Sequence, residues 1–262
     1  MIFYLETGPF NYFTPESATF YEAVHQHNWL HPDNRHDCIE GKTAPNTILP
    51  LISRFGVEGI VPVGSVEFVQ GVCTTLLGIP SVKALNIPPE LRCNLYLRRL
   101  VWDNQTAGDL QKLYERYGPL LVKPGKTPKL FEMVKYTGRE TFPEGEPLFV
   151  SQPLTHRILS EWRVFCLNGR IVSLYPYGDA EAWEMPDKDL VEEMCQQVSR
   201  HSCPSFAMDV AVLDNCPADE PKTAIIEVHP FISCGLYGFD GPDMLRMAIV
   251  AWKHHVRTEK EG

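Results

Sequence analysis

Residues 223–229 read TAIIEVH and run on into PFISCGLYGFD, residues 230–240. Ile225, Ile226 and Val228 favour a pleated backbone, so the seven residues read as a β-strand. Alternation places Ile225, Glu227 and His229 on one side, and Ala224, Ile226 and Val228 on the other, the face expected to be buried. A carboxylate and an imidazole two residues apart, at the end of an otherwise apolar strand, require an explanation. Charge within a strand is rare unless it is paired, solvated or put to use.

Working outward, the same anomaly recurs. AMDVAVL (207–213) is apolar except for Asp209, and the turn-rich DNCPADEPK (214–222) joins it to TAIIEVH. If the two strands pair antiparallel, both carboxylates can face one side. Further upstream, EWRVFCLNGRIVSLYPY (161–177) places Asn168-Gly169 between two alternating runs, the strongest short-range hairpin signature, with Glu161 and Arg163 sharing a face. PLLVKPG (119–125) reads as a strand ending near Lys123. A solvated sheet face with surface ion pairs accounts for any one of these charges. Taken together they carry more weight, because each stands among strongly apolar neighbours. Two carboxylates completed by phosphate oxygens and water suit a hard divalent cation, and Lys123 with Arg163 would balance a polyphosphate. That is the equipment of phosphoryl transfer.

The rest of the chain supplies a scaffold. TPESATFYEAVHQ (14–26) opens a helix with Thr14 as cap and Pro15 in the first turn. HQHNWLHPDNRH (25–36) holds His25, His27, His31 and His36, and its Pro, Asp and Asn favour a surface loop over a metal site. GIVPVGSVEFVQGV (59–72) begins as a buried strand, turns at Gly64 and continues as a helix; GIPSV (78–82) reads as another short strand. Alternation of this kind predicts a small α/β unit over about the first ninety residues. NIPPEL (86–91) marks a boundary near residue 88. Beyond it, helices are expected over 106–118, 187–201 and 243–256. Strands with antiparallel hairpins and helices make this second part α+β, with a cleft between layers as the natural ligand site.

Composition sets limits. The 262 residues carry 24 basic against 33 acidic side chains, a formal charge of −9, which argues against broad phosphate-driven nucleic-acid binding. No apolar run approaches the ~18 residues of a membrane span, and the first residues lack a basic leader, so a cytoplasmic protein is expected. Eight scattered cysteines form no CxxC pair and read as reduced, mostly buried thiols.

In order, LLVKPGKTPKLF, FVSQPLTHRILSEWRVFCLNGRIVSLYPY, AMDVAVL and AIIEVHPFISCGLYGF resemble the ATP-grasp superfamily, most closely its compact members that recur in bacteriophage and bacterial genomes. The resemblance spans about residues 119–239, and PVGSVEFV with NIPPEL looks like the domain that precedes the grasp fold. It implies an α+β ATP-grasp fold of two lobes around a nucleotide cleft at 89–262, with a hinge near 149–154. A small α/β pre-ATP-grasp domain would occupy 1–88. It implies ATP with Mg²⁺ or Mn²⁺ as cofactors, and phosphorylation of a carboxylate that an amine then attacks.

Position by position, Lys123 resembles the lysine on the nucleotide phosphates, and Lys129 the lysine of the loop over ATP. Val150, Ser151 and Gln152 fall in the hinge, where main-chain groups read the adenine edge; Glu161 joins the nucleotide site. Arg163 resembles the arginine steadying phosphate or acyl-phosphate, and Asp209 and Glu227 the metal ligands. His229 departs from the pattern, which has Asn there. The imidazole either binds metal, leaning toward Mn²⁺, contacts phosphate or amine, or marks lost activity. The alternative to a ligase is therefore a catalytically reduced ATP-binding module acting through a protein partner. Acceptor contacts are expected from the loops at 25–36, 178–188 and 232–240. Arg98 and Arg99 are candidates for gripping a substrate carboxylate or form a surface pair, and Trp183 and Tyr237 either line a pocket or cover core.

Overall fold

A computed structural model describes residues 1–8, 12–41, 45–178, 184–232 and 234–261. Trp183 and the centre of the 178–188 loop lie outside the described residues, as does Ser233 in the 232–240 loop. The chain groups into two compact units, one of Met1–Val82, Cys203–Phe206 and Pro230–Gly262, the other of Lys83–Ser202 and Ala207–His229.

The first unit begins with β1 (Ile2–Glu6), α1 (Pro15–Leu30), β2 (Asp37–Gly41), α2 (Pro45–Phe55), β3 (Ile60–Val63) and α3 (Val66–Gly71). β1 pairs parallel with β2 and with β3, giving the order β2-β1-β3. A central parallel strand covered on both faces should be apolar throughout, and Ile2, Phe3, Tyr4 and Leu5 are all buried. Thr14 caps α1 through the Ser17 amide, as its sequence predicts. At the end of β3 the chain must turn against β1. A Cβ on Gly64 would stand 2.4 Å from that of Glu6, so only glycine fits there.

Two local expectations are corrected here. The histidine-rich segment is not a loop at its start, because α1 continues to Leu30 and carries His25 and His27. No breaker precedes Pro32, and His31, the residue before it, is the helix cap. His27 stacks on His36 with ring centroids 4.4 Å apart. GIPSV is not a strand either. The Ile79 amide turns back to the Cys73 carbonyl at 3.0 Å to close the preceding helix, and Pro80 has no amide to offer a ladder.

The second unit holds α4 (Asn94–Leu97), β4 (Val101–Gln105), α5 (Ala107–Tyr117), β5 (Leu120–Pro124), β6 (Val134–Tyr136) and β7 (Leu148–Ser151), then β8 (Ile158–Leu167), β9 (Arg170–Tyr177), α6 (Lys188–His201), β10 (Ser205–Leu213) and β11 (Thr223–Pro230). They form two four-stranded sheets, β4-β7-β5-β6 and β11-β10-β8-β9. The first is antiparallel at each pairing and buries Leu120, Val122, Leu148 and Val150 beneath Leu110 of α5. In the second, Asn168 and Gly169 turn the β8–β9 hairpin with φ of 52° and 75°, the two positive values that a tight two-residue turn needs. The expected strand neighbours β10 and β11 are adjacent, and the Leu213 amide donates to the Lys222 carbonyl where their connection closes.

The closing helix α7 (Pro242–Glu261) belongs to the first unit, where it packs on α1 and buries Trp252, whose indole N–H donates to the Val57 carbonyl. Among the described residues, no helix is long and apolar enough to cross a membrane.

Candidate active site

The strand charges converge within the second unit. Asp209 sits in the middle of β10, a strand with all nine residues buried, and is only 2% exposed. An isolated carboxylate there would be prohibitively costly. Arg163 of β8 answers it with a two-pronged hydrogen bond, Nε to Oδ1 and Nη2 to Oδ2, both 2.7 Å. The guanidinium also lies over the Tyr177 ring, 5.4 Å from its centroid. On β11, Glu227 Oε2 accepts from Lys123 Nζ of β5 at 2.9 Å, so one contact links the two sheets. Lys123 in turn sits 5.1 Å from the ring centroid of Phe149, its cross-strand partner on β7.

His229 closes the arrangement. Its Nε2 lies 3.2 Å from Asp209 Oδ2 and 2.9 Å from Glu227 Oε1, bridging the two carboxylates. Burial alone would lower its pKa, but hydrogen bonds to Asp209 and Glu227 outweigh that and raise it above the ordinary imidazole value. The carboxylates respond in the opposite sense. Burial would push Asp209 up, yet His229 and Arg163 hold it below the usual range. Glu227 is likewise held low, its burial outweighed by His229 and Lys123. Glu161, half-buried on the same face of β8 as Arg163, moves up through burial and through repulsion from Asp209 and Glu227.

These shifts predict a pH signature in the metal-free protein. The folded pKa of His229 exceeds the unfolded value of about 6.5, so its contribution to stability is complete below that pH and is lost as pH rises through the raised value. The urea midpoint should therefore fall more steeply above neutral pH in the wild type than in His229→Asn. Parallel profiles for the two proteins would refute the bridge.

Asp209, Glu227 and His229 each offer a ligand atom within 4.8 Å of the others, the one group of that kind among the described residues. Two carboxylates fit Mg²⁺, and the imidazole extends the fit toward Mn²⁺.

The other sequence candidates are less centrally placed. Lys129 is exposed in the β5–β6 connection with φ 54°, and among the described residues no hydrogen bond or ion pair joins it to the acidic group. Val150 and Ser151 lie in β7, paired with β4 on one side and β5 on the other. Gln152 just beyond accepts from the Leu100 amide through its side chain and donates its own amide to the Leu100 carbonyl.

Arg98 and Arg99 are neither a surface pair nor open to a substrate. Arg98 is buried against Glu220 and the Pro221 carbonyl, and Arg99 donates to the carbonyls of Ile225 and Ile226 at 2.8 and 2.7 Å. They clamp the start of β11, and burial lowers the Arg99 pKa to about 10. Ile225, on the Glu227 side of the strand, is fully buried, so both faces of β11 are covered at its start.

Two sheets bringing a lysine, an arginine and two acidic groups to one point define an ATP-grasp protein. The sequence profile of an ATP-grasp domain, the second family of its clade, matches residues 96–247, and the chain belongs to that family. Solved structures share the fold at low identity. D-alanine–D-alanine ligase from Bacillus anthracis is 15% identical over 100% of this chain and 99% of that one, with a TM-score of 0.50. N5-carboxyaminoimidazole synthase from Aspergillus clavatus, in complex with ADP and 5-aminoimidazole ribonucleotide, is 12% identical over 99% and 76%, at 0.51. The ATP-grasp ligase PsnB, complexed with a minimal precursor, Mg and ADP, is 10% identical over 97% and 98%, at 0.50. Comparison with curated protein sequences returns no match.

Proposed function

We propose that the protein is an ATP-dependent carboxylate–amine ligase working through an acyl-phosphate. The observation that carries this reading is the convergence of Lys123, Arg163, Asp209 and Glu227 from two sheets of one unit. A carboxylate is a poor acyl donor because its oxygen leaves badly. Attack by that oxygen on the γ-phosphorus of ATP releases ADP and turns the oxygen into part of a good leaving group. An amine then attacks the acyl carbon, phosphate departs and the amine gives up a proton.

In this reading Lys123 and Lys129 contact the nucleotide phosphates. Arg163 fixes Asp209 and adds positive charge where phosphate oxygens gather. Asp209, Glu227 and His229 would hold Mg²⁺ or Mn²⁺, which supplies charge neutralisation to the polyphosphate when bound. The reading assigns 1–88 to a pre-ATP-grasp domain and 89–262 to the ATP-grasp domain, with the hinge at 149–154. Adenine would be read there by main-chain groups around Val150, Ser151 and Gln152, with Glu161 on the nucleotide side. ATP, a small-molecule or peptide carboxylate and an amine are the partners, in the cytoplasm.

Purified protein with MgATP should release ADP and phosphate only when a suitable carboxylate and amine are both supplied. Release of AMP and pyrophosphate would overturn the acyl-phosphate route. A second reading, a catalytically reduced ATP-binding module acting through a protein partner, is favoured by the bridging position of His229. It predicts nucleotide binding without turnover across a broad substrate panel, and a gain of turnover in His229→Asn.

A further inference from the structure

We propose that Glu146 is a positioning residue for nucleotide binding, holding the turn at Gly125–Thr127 that roots the Lys129 loop and anchors the end of β5 behind Lys123. This rests on the ligase reading and deepens it.

The turn is held from every side. Glu146 Oε1 accepts from the amides of both Lys126 and Thr127 at 2.8 Å, and Oε2 accepts from the Thr127 hydroxyl at 2.8 Å. Two successive amides aimed at one oxygen form a concavity that favours an anion. The Gly125 amide donates to the Pro147 carbonyl at 2.7 Å, and its carbonyl accepts from Asn86 Nδ2 at 2.8 Å. The Lys126 carbonyl accepts from the Ala84 amide at 2.8 Å. A Cβ on residue 125 would stand 2.7 Å from the Pro147 carbonyl oxygen, so glycine is what lets the Glu146 segment come this near. Burial would raise the Glu146 carboxyl, but the Thr127 and Lys126 amides hold it below the ordinary value, so it stays ionised and accepting.

Past the turn the character changes. Lys129 adopts a left-handed backbone, and Leu130 and Met133 are exposed. The loop thus has a fixed root and a lightly held tip. Lys123 stands two residues before Gly125 in the strand that ends at this root, so tilting the root would move Lys123 against Glu227. Glu146 bonds the loop's own backbone and not a reacting group, so its loss should fall on nucleotide affinity rather than on the chemical step.

MgADP titrated calorimetrically into the full chain, beside amide exchange at Lys126 and Thr127, tests this. Glu146→Ala should weaken MgADP by about 10-fold or more, in keeping with the cost of small misplacements, and speed exchange at both amides. Glu146→Gln keeps an oxygen for the two amides and should recover most of the affinity and the slow exchange. If Glu146→Ala frees the amides yet binds MgADP as tightly as wild type, the inference fails and the ligase reading stands. The inference also fails if Glu146→Gln keeps slow exchange but binds as poorly as Glu146→Ala. A wild type with slow exchange at these amides and no affinity for MgADP would remove the ligase reading and the nucleotide role of Glu146 together.

Discussion

Arg163→Ala should lower the unfolding free energy by about 3–5 kcal/mol, the range for breaking a buried ion pair from one side. Both partners are sequestered, with side-chain exposures of 5% for Arg163 and 2% for Asp209, so water cannot replace the lost fork. His229 remains beside Asp209 and softens the loss, which places the result toward the lower end. In the variant the Asp209 carboxyl loses its guanidinium while its burial persists, so its pKa rises. The penalty then exists only while the group is ionised, and the gap from wild type should narrow as the solution is acidified. Arg163→Lys keeps a charge without the planar fork and should lose less. Removing both charges, in Arg163→Met with Asp209→Leu, should cost less than Arg163→Ala alone. Urea unfolding of the four proteins completes a double-mutant cycle. A loss below about 1 kcal/mol for Arg163→Ala would mean that the pair behaves like an exposed one.

The charges of this site were legible because apolar strands make them conspicuous. Asp209 in AMDVAVL and Glu227 in AIIEVH have no neighbours that explain them, and the turn-rich link between those strands suggested their adjacency. The hairpin at Asn168-Gly169 was equally clear, since only particular residues accept two positive φ values. Its register was not. A uniform two-residue hairpin would set Arg163 opposite Leu174, but a bulge between Phe165 and Cys166 shifts the pairing by one residue. That sets Tyr175 opposite Arg163 and Tyr177 opposite Glu161. The bulge decides which aromatic groups approach the guanidinium, and no local signal announces it.

The arginine clamp was hidden for a different reason. Arg99 binds main-chain carbonyls of Ile225 and Ile226, groups that every residue carries, so sequence offers no mark of the partner. The sheet order β4-β7-β5-β6 and the packing of α7 on α1 depend on long-range contacts, beyond the reach of local periodicity. The extension of α1 through His27 shows the converse error. Polar composition suggested a loop where nothing in the sequence stops a helix before Pro32.

Glu227→Gln should leave the fold nearly intact and reduce MgATP-dependent turnover by at least about 100-fold, the scale for losing one preorganised electrostatic group. The carboxylate faces Lys123 on one oxygen and His229 on the other, and its side chain is 32% exposed, so water can replace part of what folding loses. An amide of the same shape keeps one acceptor oxygen but gives up the charge. Lys123 then lacks its counter-ion, and the His229 pKa drops because one of the groups that raise it is gone. On the proposed chemistry the consequence is concentrated where the nucleotide's negative charge must be balanced. Turnover should collapse, while the urea midpoint moves much less than in Arg163→Ala. Replacing Mg²⁺ by Mn²⁺ should recover part of the rate, because Asp209 and His229 remain as donors and imidazole suits the softer ion. Turnover within about threefold of wild type in either metal, on a scale where tenfold is about 1.4 kcal/mol, would remove Glu227 from the metal-binding set and with it the strongest support for phosphoryl transfer at this site.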